Sequence, residues 1–174
     1  GKMMALSSYG IPDPIVYEKL KSVLSQLGTL AYSESVEILK SLFPEIQTGN
    51  VSTMDKNLTS LAASAQKLFT DCRIKDIDQI IKSEGEKSKN LVMAGGACLN
   101  LDSNSEILKS FSEMNHFIAP NCDDTGQSLG AICILVSEIL RKRPMVNLPY
   151  LGTGKSDIEF NSDSINRALN ILLN

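Results

Sequence analysis

Two short apolar runs stand out along the chain. Each ends in a glycine- or aspartate-rich turn, and each turn leads into a helical pattern. The first run, Leu91-Val92-Met93-Ala94, stops at Gly95-Gly96. The second, His116-Phe117-Ile118-Ala119, passes through Pro120 into Asn121-Cys122-Asp123-Asp124-Thr125-Gly126. Their length and flanks predict buried strands at 91–94 and 116–119, side by side in one sheet. After the first turn, Ser103 and Glu106 read as a capping box opening a helix from about Ser103. Its stripe of Ile107, Leu108, Phe111 and Met114 is expected to be buried. After the second turn, a helix from about Thr125 to Arg141 is apolar almost all round, which predicts burial on several sides.

The rest of the pattern is helical. Residues 1–10 hold a short apolar piece, Met3-Met4-Ala5-Leu6, closed by Tyr9-Gly10. Asp13 then caps a helix, with Pro14 in its first turn, Gly28 past its end, and Val16, Leu20, Val23, Leu24 and Leu27 on one face. A second helix runs from about Ser33 to Phe43 and stops at Pro44. Residues 44–52 read as a loop around Thr48-Gly49-Asn50. From near Thr53 a long helix carries Leu58, Leu61, Ala62, Ala65, Leu68, Phe69 and Cys72. The apolar phase drifts at Arg73 before Ile74, Ile77, Ile80 and Ile81 resume it, so a bend or break is expected at 72–75. Residues 144–162 lack a periodic face and read as a linker. A last helix is expected from about Ser162 to Leu173. The result is an α/β, helix-rich fold with a small mixed sheet flanked by helices.

Composition narrows the function classes. Hydrophobic residues make up 43% of the 174 and charged residues 21%, ordinary values for a globular domain with a core. The net charge of −3 offers no basic stripe for nucleic acid. The one basic cluster, Arg141-Lys142-Arg143, suits a helix C-terminus. There is no CxxC pair among Cys72, Cys98, Cys122 and Cys133, so free thiols in a reducing compartment are expected. With no signal peptide or membrane-spanning run, the expected location is the cytoplasm, with no membrane partner. The single histidine, His116, cannot build a His-x-x-x-His site, a zinc site or a Ser/His triad within one domain.

The candidate chemistry lies at the two turns, because α/β proteins hold phosphates and metal ions where a strand delivers a turn to a helix N-terminus. Gly95-Gly96 is either a tight strand-to-helix turn or a cradle whose amides hold an anion. Asn100 and Asn104 either contact a nucleotide or cap. Asp123 and Asp124 either cap the next helix or hold a cation through oxygen. Gly152-Thr153-Gly154-Lys155-Ser156 ends like a phosphate-binding loop. It lacks the first glycine, the preceding strand and the following helix, so it reads as a linker turn.

Five segments in order resemble the O-carbamoyltransferases of the nodulation-protein NodU type. Residues 1–10, Gly-Lys-Met-Met-Ala-Leu-Ser-Ser-Tyr-Gly, are similar to G-K-x-M-G-L-A-x-Y-G. Ala62-Ala63-Ser64-Ala65-Gln66 is similar to A-A-S-x-Q. Ala94 to Asn100, with Asn104, resembles A-G-G-V-A-L-N-x-x-x-N. Ala119 to Ala131 resembles Q-P-x-x-G-D-A-G-x-x-L-G-A, and Asn147 to Gly152 resembles N-P-Y-L-G-P. The order and spacing agree across residues 1–152. Asp123 departs from that pattern where members carry glycine, and Thr125 where they carry alanine. Ser7-Ser8 stands where Ala-Pro is usual.

The resemblance implies an actin-like ATPase fold of the sugar-kinase and TsaD superfamily, with this chain as its second lobe. Residues 1–147 would be a partial actin-like carbamoyltransferase domain. Residues 148–174 would be a linker and the start of a C-terminal adenylate-forming domain. The missing first lobe, which carries the family's His-x-x-x-His metal ligands, and that C-terminal domain would belong to the same polypeptide; a homodimer is a further expected state. The implied reaction forms carbamoyl adenylate from ATP and carbamoyl phosphate. The carbamoyl group then passes to a hydroxyl of a small-molecule acceptor, with a divalent metal, iron-like or magnesium, in the intact enzyme. By motif match, Gly95, Gly96, Asn100 and Asn104 are nucleotide-binding. Asp124 takes the metal-ligand position, with Asp123 as its rival. The other readings are a TsaD-like threonylcarbamoyl transferase, a sugar kinase of the same fold, and a non-catalytic interaction lobe.

Overall fold

The computed structural model describes residues 2–44, 46, 53–84, 89–119 and 121–141. In chain order its elements are α1 (Lys2–Ser7), α2 (Pro14–Leu27), α3 (Tyr32–Leu42), α4 (Lys56–Ser83), β1 (Asn90–Met93), α5 (Leu101–Ser110), β2 (Asn115–Ile118) and α6 (Gly126–Leu140). Between β1 and α5 lies one 3₁₀ turn, Gly96–Leu99. The chain divides into two units. One holds residues 1–91 and 100–116; the other holds 92–99 and the chain from 117 onward.

β1 and β2 are neighbours in one two-stranded sheet, as the apolar runs predict. The Asn115 amide donates to the Lys89 carbonyl at 2.7 Å and the Ala119 amide to the Met93 carbonyl at 3.4 Å. The offset is the same at both ends, which is a parallel register. Parallel neighbours need a crossover, and α5 supplies it. The other described elements are helices, so the fold is the expected helix-rich α/β type.

Helix starts follow side-chain caps. Asp13 accepts from the Ile15 and Val16 amides at 2.7 and 3.2 Å, and Pro14 occupies the first turn. Asp55 accepts from the Asn57 and Leu58 amides and starts α4 at Lys56, just after the position near Thr53 where the pattern placed it. Residues 2–7, read only as an apolar piece, form α1.

The strands are not buried as expected, since Val92 and Phe117 are exposed, and four expectations about the helices need correction. α4 runs unbroken for 28 residues through 72–75. The apolar phase drifts there because Arg73 faces a polar partner: its Nη1 donates to Ser103 Oγ and Asn104 Oδ1, both at 3.0 Å. The cap of α5 is Asn100 and not Ser103; Asn100 Oδ1 accepts from the Ser103 amide at 3.1 Å, and Ser103 is fully buried inside the first turn. Of the predicted stripe only Ile107 is fully buried. Phe111 and Met114 are half-buried and Leu108 is exposed. α6 is apolar but not enclosed: Ile132, Ile134, Leu135 and Ile139 are exposed. An apolar composition all round a helix states what it tolerates, and packing alone decides what covers it. The linker at 144–162 and the helix at 162–173 lie outside the described residues.

In the first unit Leu20, Phe43 and Leu68 form a buried cluster, with Val16, Tyr17, Leu39, Leu61, Ala65 and Cys72 packed on it. The Tyr17 hydroxyl at its edge donates to Asp71 Oδ2 at 2.9 Å. Burial, and then the carboxylate it bonds, push the Tyr17 pKa from 10.0 to about 12. A phenol whose pKa is raised by folding stabilises the fold fully below the unfolded value of 10.0, and that contribution is lost as pH rises through about 12. A spectrophotometric tyrosinate titration should show one late component above pH 11, missing in Tyr17→Phe. An unchanged titration in that variant would discard the assignment.

Candidate functional site

The first turn sits in the second unit. Gly95 has φ +96°, a conformation that side-chain-bearing residues rarely adopt. Its carbonyl accepts from the Cys98 amide at 2.9 Å, closing the 3₁₀ turn, and Cys98 is buried. Gly96 is different. A Cβ built on it meets nothing within 4 Å among the described residues. Neither backbone conformation nor packing of those residues requires glycine there. The open space above its backbone is what a close-approaching ligand needs.

The second turn closes on itself. Asp123 Oδ1 accepts from the Thr125 amide at 3.0 Å and also from the Thr125 hydroxyl. These two bonds, the hydroxyl first, hold the Asp123 carboxyl below its usual pKa. The Gly126 amide donates to the Asp123 carbonyl, and a Cβ on Gly126 would lie 2.0 Å from the Asn121 carbonyl oxygen, so only glycine fits. Asp124 is exposed, and its Oδ1 accepts from Gln127 Nε2 at 3.3 Å. The residue at the N-cap of α6 is Thr125, whose own side chain makes no capping bond. Two departures from the family pattern therefore satisfy each other: Asp123 and Thr125 bond side chain to side chain, and Asp124 stands apart from them.

Asn100, the N-cap of α5, and Asn104, on α5, sit in the first unit against α4. Asn100 Oδ1 accepts from Gln66 Nε2 at 2.9 Å, and Asn100 Nδ2 donates to Gln66 Oε1 at 2.9 Å. Asn104 is buried and its Oδ1 is held by Arg73. Pattern reading did not pair Gln66 and Arg73 with these asparagines. The signal was present: a glutamine inside a helix of small and apolar residues, and an arginine where the apolar phase drifts.

The Ala62-Ala63-Ser64-Ala65-Gln66 segment thereby acquires a physical meaning. Ala62 and Ala63 are both buried on α4, the helix against which α1 packs. Ser64, fully buried, accepts from the Asp13 amide at 2.9 Å and donates to the Asp13 carbonyl at 3.3 Å, clasping the entry to α2. Gln66 clasps Asn100.

His116 is half-buried. Its Nε2 lies 2.7 Å from the Phe111 carbonyl, which can only accept, so that nitrogen carries the proton. Among the described residues there is no group of three or more His, Cys, Asp or Glu that could hold a metal ion. The donors at the second turn therefore do not make up a metal site by themselves: one exposed carboxylate bonded to Gln127, one carboxylate bonded to Thr125, and no imidazole. All four cysteines are free thiols. No helix among the described residues is long and apolar enough to cross a membrane.

A helix-rich α/β unit with a parallel strand pair and two strand–turn–helix junctions defines the structural class. Residues 1–133 match the family described as carbamoyltransferase N-terminus, and the chain belongs to the carbamoyltransferase family. Neither a curated protein nor a solved structure matches it.

Proposed function

We propose that this chain is the second lobe of a NodU-type, ATP-dependent O-carbamoyltransferase with an actin-like fold. The observation that carries the reading is the family match over residues 1–133, which covers both turns. In this reading Gly95 and Gly96 let an adenylate approach the backbone; Asn100 is, by motif match, a nucleotide-binding residue. Asn104, held by Arg73, supports the same turn of α5. The reaction partners are ATP, carbamoyl phosphate and a hydroxylated small molecule. Carbamoyl adenylate is a mixed anhydride: the acceptor oxygen forms a bond to the carbamoyl carbon, the bond from that carbon to the AMP phosphate oxygen breaks, and the hydroxyl proton is released. Amides at the Gly95-Gly96 turn suit the phosphate charge that develops as AMP leaves.

Asp124 is the residue we assign to the metal. A bound divalent ion supplies Lewis acidity toward a carbonyl or phosphoryl oxygen. The described residues do not complete its site, and no step is derived through it.

The test is an assay of the intact enzyme with carbamoyl phosphate, ATP and a panel of alcohols. AMP release that requires carbamoyl phosphate supports the proposal. ATP turnover indifferent to carbamoyl phosphate, with phosphate transferred to the alcohol, overturns it in favour of a kinase. The 174-residue chain alone, with its single histidine, is expected to transfer no carbamoyl group. Transfer above a buffer control by this chain would refute the division of the active site between this lobe and the rest of the enzyme.

A further inference from the structure

We infer that Gln66 is a positioning residue that turns the Asn100 carboxamide so that it presents one N–H, and no acceptor, to a ligand. The inference rests on the nucleotide reading of Asn100 above and goes beyond it. The two side chains form a reciprocal amide pair, with both N···O distances 2.9 Å. Which end of Asn100 is oxygen is fixed independently: the atom 3.1 Å from the Ser103 amide must be an acceptor, because a backbone N–H can only donate. Oδ1 thus takes two donors, Gln66 Nε2 and the Ser103 amide, and its acceptor capacity is filled. Nδ2 carries two hydrogens, and Gln66 Oε1 takes one. Among the described residues, the second is the polar group that Asn100 has left to offer.

Gln66 is suited to this task. It is buried, at 7% exposure, on the 28-residue α4, so its own rotamer is locked by packing. Without it, the Ser103 amide alone would orient Asn100, a single bond about which the carboxamide can swing. The matching ligand atom is therefore a hydrogen-bond acceptor, such as an oxygen or ring nitrogen of a nucleotide. A donor placed there would meet another donor.

The experiment follows the Asn100 side-chain amide by ¹⁵N–¹H NMR in this chain, titrated with adenosine 5′-monophosphate. In the wild type only one of the two Nδ2 protons should move, the one not facing Gln66. In Gln66→Met, a near-isostere without an amide, the selective shift should vanish. AMP affinity should fall about fivefold, as expected for one misplaced hydrogen bond. Three results would overturn the inference: movement of both protons, movement of neither while other amides of the chain respond to AMP, or an unchanged titration in Gln66→Met. If no resonance responds to AMP, the nucleotide reading falls and this inference with it. The wild-type measurement decides the matter even if Gln66→Met fails to fold.

Discussion

Replacing Gly10 by alanine is expected to destabilise the chain more than any other single-methyl change at a described glycine outside the two turns. A Cβ at Gly10 would lie 2.1 Å from the Thr59 carbonyl oxygen and 2.4 Å from its carbon. Both atoms belong to the backbone of α4, so no side chain can swing away. Either α1 lifts from α4 or the helix backbone distorts. The cost expected for such overpacking is about 3 kcal/mol, equivalent to roughly 6–12 °C in Tm for a chain of this size. Gly28→Ala is the control. Its Cβ would sit 3.8 Å from the Leu24 carbonyl oxygen, an ordinary contact, so its Tm should stay within a few degrees of wild type. Thermal unfolding of both variants checks the pair, and equal Tm values would refute the close approach of Gly10 to α4.

Asp124→Asn in the intact enzyme is expected to abolish most metal binding and turnover. A change in the outer partners of a metal ligand already costs roughly 10–100-fold. Loss of a direct anionic ligand should therefore cost at least ~100-fold in rate, with folding unchanged. The structure sharpens the comparison with Asp123→Asn. Asp123 is engaged with the Thr125 amide and hydroxyl, and an asparagine oxygen can accept both bonds. That variant should keep nearly full metal content and rate. Metal analysis and carbamoyl transfer on both variants distinguish the roles. Wild-type occupancy and rate in Asp124→Asn would end the ligand assignment; loss in Asp123→Asn alone would transfer it to Asp123.

The local elements were legible because their causes are local. Asp13 followed by Pro14, with Gly28 fourteen residues beyond Pro14, marks α2 without any tertiary information. The two apolar runs marked strands within one residue of β1 and β2, and their adjacency followed from sharing one crossover helix. The two turns drew attention because glycine and aspartate have few other uses between a strand and a helix. The carbamoyltransferase family, too, was readable from ordered segments, and the match over residues 1–133 bears out that coarser assignment.

What pattern could not give were features made by residues far apart in sequence. Arg73 looked like a flaw in a helical period because its partners, Ser103 and Asn104, lie thirty residues on. The cap of α5 was misplaced by three residues, since Ser103 and Asn100 are both good caps. Only the packing of Gln66 against Asn100 shows which one serves. Burial of α6 was overestimated for the same reason. The sequence determined which segments are helix, strand and turn, and which family they spell. The tertiary structure decided which polar side chains pair, which glycines are required by a neighbouring backbone, and which of two adjacent aspartates is tied to the Thr125 amide and hydroxyl. Those outcomes depend on distances between chain segments, and a hydrogen bond is won or lost over less than an ångström.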